Sequence, residues 1–263
     1  MAITRIGNPA IANIREPNFR NIIINGDMSL AQRSTSVSGI TGQSYNTVDR
    51  YATFLTTLGT WTQSQSTDVP TGQGFATSLK MDCTTADASP AAGDRLLIQQ
   101  KIEGQNLQYI KKGTSDAESL TVSFWVKSNK TGTYIAELFD NDNTRQISKS
   151  YTISSASTWE KKTITYDGDT TGTLGNDNGD SLILQLWLGT GTTYSSGTLS
   201  TTWTSNTNAN RAVGQVNLAD STSNEWYVTG VQLETGSVAS DFEFLPVDVN
   251  LARCQRYFER TTA

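Results

Sequence analysis

Histidine is absent from all 263 residues, so no imidazole can act as general base, proton shuttle or zinc ligand. Serine is abundant, but the usual base that would activate it is missing. Cysteine occurs twice, at Cys83 and Cys254, too far apart in sequence for a disulfide framework; two buried free thiols are expected. Charged residues make up only 17% of the chain, and acidic ones outnumber basic ones by 25 to 20, giving a net charge of -5 and a pI near 4.8. That balance argues against a groove for a phosphate backbone, because Lys111-Lys112 and Lys161-Lys162 are isolated pairs that read as solvated edges. Nucleic acid is therefore not an expected partner. No run of about 20 apolar residues is present to span a bilayer as a helix. Residues 1–20 also lack the apolar segment of a secretory signal, being broken by Gly7, Pro9 and Pro17, so assembly in a cytoplasm is expected.

What remains is a chain rich in Gly, Thr, Ser, Asn and Asp with a hydrophobic fraction of 36%. Such a composition suits short strands joined by turns. Strict alternation sets Leu120, Val122, Phe124 and Val126 on one face of a strand, with Thr121, Ser123, Trp125 and Lys127 on the other. The same pattern puts Leu182, Leu184, Leu186 and Leu188 opposite Ile183, Gln185 and Trp187. Leu79, Met81 and Cys83 form a third inward row. Further strands are expected over 21–25, 48–55, 60–66, 95–102 and, as a meander, 134–139, 146–153 and 159–166, with a polar loop over 34–46 and a long loop over 189–211. With roughly ten to twelve strands and turn signals about every 8 to 12 residues, the reading is an antiparallel β-sandwich.

The closing stretch, Asn224 to Pro246, reads as one long strand followed by a short one. Alternation there sets Tyr227, Thr229, Val231 and Leu233 against Trp226, Val228, Gln232 and Glu234. An amphipathic helix is expected over Asp248 to Arg260, capped by Asp248 or Asn250, with Val247, Leu251, Cys254 and Phe258 on one stripe. Such a stripe either packs on its own sandwich or associates with other copies, and Leu251, Cys254 and Phe258 are the oligomerisation candidates.

Three blocks carry a resemblance. They are Asn-Ile-Ile-Ile-Asn-Gly-Asp-Met-Ser-Leu-Ala-Gln-Arg at 21–33 with Val-Asp-Arg-Tyr at 48–51, Leu-Thr-Val-Ser-Phe-Trp-Val-Lys-Ser at 120–128, and Val-Gln-Leu-Glu-Thr-Gly with Asp-Phe-Glu-Phe-Leu-Pro and Leu-Ala-Arg-Cys-Gln-Arg-Tyr-Phe-Glu between 231 and 259. The chain resembles jelly-roll domains of bacteriophage tail-fibre and virion surface proteins, of a carbohydrate-binding-module-like type. The resemblance implies a jelly-roll over 21–246, an N-terminal docking arm over 1–20 that attaches to other virion proteins, and a C-terminal helix over 247–263 for oligomerisation or for a link to a distal domain. It implies a non-enzymatic tail or surface fibre, homotrimeric, located in the virion and able to contact host-surface glycan. Two alternatives stay open: a purely structural decoration or anchoring protein of the virion, and a carbohydrate-binding module of an extracellular enzyme.

Glycan would be met by outward tryptophans, Trp125, Trp187 and Trp226, stacking on sugar rings beside Gln185, Gln232 and Lys127. Against this stands their burial under a loop, the arm or another subunit. The acidic clusters at 140–143 and 176–180 lack the EF-hand spacing and read as turns. The resemblance adds a structural calcium near the first and last strands, with Asp27 and Glu234 as ligands.

Overall fold

A computed structural model describes residues 19–260. Thirteen strands follow in chain order: β1 (Ser36–Ile40), β2 (Ser44–Tyr45), β3 (Ala52–Thr56), β4 (Thr60–Ser66), β5 (Ser78–Thr85), β6 (Arg95–Glu103) and β7 (Leu120–Ser128). After them come β8 (Gly132–Asp140), β9 (Arg145–Ile153), β10 (Glu160–Tyr166), β11 (Asp180–Thr190), β12 (Thr204–Ser205) and β13 (Glu225–Thr235). Two short α-helices, α1 (Thr192–Ser195) and α2 (Val247–Gln255), and four single 3-10 turns lie between or after them. All pairings are antiparallel. One sheet has the order β1-β4-β5-β13-β7-β10, the other β12-β9-β8-β11-β6-β3-β2. The expected jelly-roll β-sandwich is what the chain forms.

The inward rows are those that alternation marks. Leu79, Met81, Val122, Phe124 and Val126 of the six-stranded sheet meet Leu96, Ile98, Leu182, Leu184 and Leu186 of the seven-stranded sheet in one buried cluster. Burying a side chain of this size contributes about 1.5–3 kcal/mol, so rows repeated on both sheets dominate the fold. Cys83 and Cys254 are both buried and free, and burial pushes their thiols up to about 11 and about 12.

Six expectations are corrected. Residues 21–25 are not a strand, although Asn21 to Asn25 are all buried. Their backbone is satisfied by side chains instead: Ile23 N donates to Asn21 Oδ1, Ile24 N to Gln100 Oε1 and Asn25 N to Asn250 Oδ1, while Ile22 N donates to the Leu233 carbonyl. The segment thus joins β13 of one sheet to β6 of the other. The span 34–46 is no plain loop, because β1 and β2 lie in it as edge strands. The meander breaks after one hairpin: β8 pairs with β9, but β10 crosses over to pair with β7. The stretch 236–246 contains no strand, and the helix ends at Gln255, short of Arg260. Beyond it Tyr257 and Phe258 turn back onto guanidinium groups, Arg50 lying 3.3 Å from the Tyr257 ring centroid and Arg33 3.7 Å from that of Phe258. Neither Asp248 nor Asn250 caps the helix; Pro246 occupies that position.

In β13 the register slips between Thr229 and Gln232, where Gly230 has φ 62°. This β-bulge inverts the alternation, so Trp226 and Val228 before it and Val231 and Leu233 after it all face the core. A Cβ on Gly230 would lie 2.6 Å from Phe75 Cζ. Gly230→Ala is expected to cost about 1–3 kcal/mol through the left-handed backbone and this overlap, read as a lowered urea midpoint. An unchanged midpoint would show that the bulge relaxes.

The arm expected over 1–20 lies, apart from Phe19 and Arg20, outside the described residues. The expected stripe is split: Val247 is exposed, Cys254 is buried against its own sandwich, and Phe258, beyond the end of α2, packs under Arg33. Leu251 is half-buried.

Candidate functional site

The six residues expected to form a glycan platform are not brought together. Trp125 lies half-buried on the outer face of the six-stranded sheet. Trp187 belongs to the opposite, seven-stranded sheet, and Trp226 is in the core between them. The bulge at Gly230 is the reason for the last. Gln232 is fully buried, donating to Glu234 and Ser240, and Lys127 is tied to Asp68 and covered by Tyr227. Trp187 does face outward from its strand, but residues 189–212 fold across it. Tyr194 of α1 packs at 5.6 Å between ring centroids, leaving the indole fully buried.

That covering segment builds a cleft on the seven-stranded sheet. Arg211, at its end, reaches back to Glu137 of β8, its Nε donating to Oε1 at 2.9 Å and its Nη2 to Oε2 at 3.0 Å. Both side chains are buried, and the indole N–H of Trp187 donates to the same Oε2 at 2.9 Å. Arg211 Nη2 also donates to Gln185 Oε1 at 2.7 Å, and Gln185 Nε2 donates to Gln99 Oε1 at 3.0 Å. Antiparallel register dictates this row, because Glu137, Gln185 and Gln99 are direct cross-strand partners. A charge paired at both carboxylate oxygens and tied into a row of amides is rigid as well as tolerable in low dielectric.

Beside the row lies a cavity of about 200 Å³ with Phe54 and Phe139 on its walls, both half-buried. A guanidinium rests on each ring, Arg95 at 4.2 Å from the Phe54 centroid and Arg211 at 4.9 Å from that of Phe139. Arg95 is also stacked against Tyr194 at 4.8 Å, and its Nε is buried without a hydrogen-bond acceptor. Burial holds the Arg95 guanidinium below its ordinary pKa, with Arg211 acting in the same direction. The cleft therefore offers apolar ring surface and donors fixed on a rigid sheet. Sequence reasoning missed Phe54, Phe139, Arg95 and Arg211. The outward parity of Phe139 beside Ile183 was legible, whereas the pairing of Glu137 with Arg211, 74 residues away, was not.

Trp125 lines a separate groove of about 250 Å³, with Phe75, Phe242 and Phe244. Several other carboxylates have protein partners. Asp140 is ion-paired to buried Lys112 at 2.5 Å, and Lys112 also meets Asp169 at 3.0 Å. Asp27 accepts from Ser29 and Asn250, whereas Glu234 accepts from Gln232 and Ser240 and lies 3.8 Å from Arg20. The two share no partner, and a guanidinium already neutralises Glu234, so the donor set does not fit a shared cation. Among the described residues there is no group of three or more His, Cys, Asp or Glu placed to hold a metal.

No protein-family model matches the chain, and no curated protein matches it in sequence. Solved structures of similar arrangement include a putative sugar binding protein from Bacteroides thetaiotaomicron, at 12% identity and a TM-score of 0.44, covering 82% of this chain and 100% of the other. A family 11 carbohydrate-binding module from Clostridium thermocellum, in complex with a mixed-linked tetrasaccharide, is 12% identical with a TM-score of 0.35 and coverage of 81% and 95%. The enzymatically active domain of bacteriophage CBA120 tailspike protein 4 is 14% identical with a TM-score of 0.43; the match covers 83% of this chain and 22% of that one.

Proposed function

We propose that the chain is a glycan-binding domain whose ligand lies in the cleft of the seven-stranded sheet, and that it serves in a phage tail or surface fibre, as a homo-oligomer. The observation that carries the binding reading is the pairing of two half-buried phenylalanine rings with guanidinium and amide donors on adjacent strands. Sugars present apolar C–H faces and a rim of hydroxyls, so ring surface next to fixed donors is the matching chemistry. The role is one of attachment rather than turnover. The three sequence blocks supply the fibre setting, and the outward tryptophans are no longer its binding surface.

The test is titration of the full chain with host-surface polysaccharide by calorimetry. Phe54→Ala and Phe139→Ala are each expected to weaken binding about 10-fold, or roughly 1.4 kcal/mol, with unchanged thermal midpoints. Trp125→Ala should bind as the parent does. Loss in Trp125→Ala with no loss in the phenylalanine variants would move the site to the groove beside Phe244. No binding by the folded parent would leave an anchoring role.

A further inference from the structure

A larger cavity, of about 500 Å³, lies between the segment starting at Phe19, the end of β6 and α2, and shares Lys101 with that cleft. Arg50 and Arg253 line it. Both guanidinium groups lack a carboxylate within ion-pairing distance among the described residues. Arg50 Nη2 donates to the Lys101 carbonyl at 2.5 Å and Arg253 Nη2 to the Asn21 carbonyl at 3.4 Å. One further nitrogen of each, Arg50 Nε and Arg253 Nη1, is buried with no acceptor. Arg50 is 7% exposed. Two other cations of the lining, Lys101 and Arg256, are already neutralised by Asp180 at 2.6 Å and Glu103 at 2.9 Å. Glu243 acts on Arg253 through space, but its Oε2 is taken by the Asn21 N–H.

Arg50 is buried and stacked on the Tyr257 ring, Arg253 is half-buried with Phe19 at 5.8 Å, and each has a backbone carbonyl as its one hydrogen-bond acceptor; a guanidinium sheltered from water without an anionic partner is costly and is relieved by an anion. The net charge of -5 makes two such groups on one cavity wall more telling. Other walls include Ile22, Val249, Tyr257 and Tyr109, with the Asn106 amide beside them. Asn106 and Tyr109 are exposed, and their side chains make no hydrogen bond within the described residues. We propose that this cavity binds an acidic monosaccharide, with its oxyanion between Arg50 and Arg253 and its hydroxyls on Asn106 and Tyr109. A carboxylate and a phosphate ester share this chemistry, and a volume of this size fits a small ligand.

The full chain is titrated with galacturonate, galactose 6-phosphate, galactose and inorganic phosphate by calorimetry, beside Arg253→Gln and Tyr109→Phe. Saturable binding of either sugar acid, at least 10-fold tighter than galactose and than inorganic phosphate, supports the proposal, and the stronger of the two identifies the anion. Arg253→Gln should weaken it at least 10-fold and Tyr109→Phe about 3-fold, both at unchanged thermal midpoint. Equal binding of galactose, equal binding of inorganic phosphate, no binding at all, or no response to Arg253→Gln each overturns it. Phe54→Ala separates the two sites: a galacturonate signal lost in that variant and kept in Arg253→Gln belongs to the sheet cleft and overturns this assignment.

Discussion

Replacing Lys112 by methionine is expected to lower stability by about 3–5 kcal/mol, the usual loss when one member of a buried ion pair is removed. Lys112 is buried and neutralises two carboxylates at once, Asp140 with no exposed surface and Asp169 with almost none. Arg145 meets Asp169 from the other side, at 2.7 Å and 3.0 Å. Without the ammonium group Asp140 would keep only Asn143, a neutral donor. The thermal midpoint should fall by about 6–15 °C for a chain of this size. Acid should weaken the parent through the same corner. Burial pushes the Asp169 carboxyl up, but hydrogen bonds from Arg145 and Lys112 outweigh it and hold the group below its ordinary value. A depressed carboxylate stabilises the fold above its unfolded pKa of about 4 and loses that contribution as the pH falls further. Denaturant curves at neutral pH and in steps below pH 4 measure both effects. A loss under about 1 kcal/mol in Lys112→Met would mean that water replaces the ammonium.

Arg211→Met carries the second large effect, because it strands Glu137 in the sheet with only the Trp187 indole as donor. About 3–5 kcal/mol of stability should be lost. The double variant Glu137→Gln with Arg211→Met removes both charges and should recover most of it, since a buried pair is often replaceable by neutral groups. Glycan binding should not recover, because Phe139 and Gln185 lose the guanidinium that holds them in place. Full recovery of binding in the double variant would show that Arg211 has no part in the cleft.

Most of the sandwich was legible from alternation. The leucine and valine rows of Leu120 to Val126 and Leu182 to Leu188 mark the face that meets the other sheet, and the structure puts that face in the central core. Two things were hidden for physical reasons. Alternation within a strand says nothing about which sheet the strand joins, so Trp125 and Trp187 could be read as neighbours although they point away from opposite sides. A bulge inverts parity halfway along β13, and its signal was present: a glycine inside a strand pattern, at 230. The covering of Trp187 depends on residues 189–212, whose polar composition gives no period to read.

The segment from Asn21 to Asn25 has a further consequence. The Asn21 side chain accepts from the Leu233 N–H of β13 across 212 residues and the Asn25 N–H donates to Asn250 of α2 across 225, while Gln100 holds the segment from the other sheet. Neither sheet can close on this side until the first-made and last-made parts of the domain have met. A chain still emerging from the ribosome therefore carries an open seam, lined with isoleucine, until β13 has been released. Folding of this topology is expected to be slow, governed by a single ring closure that spans nearly the whole domain.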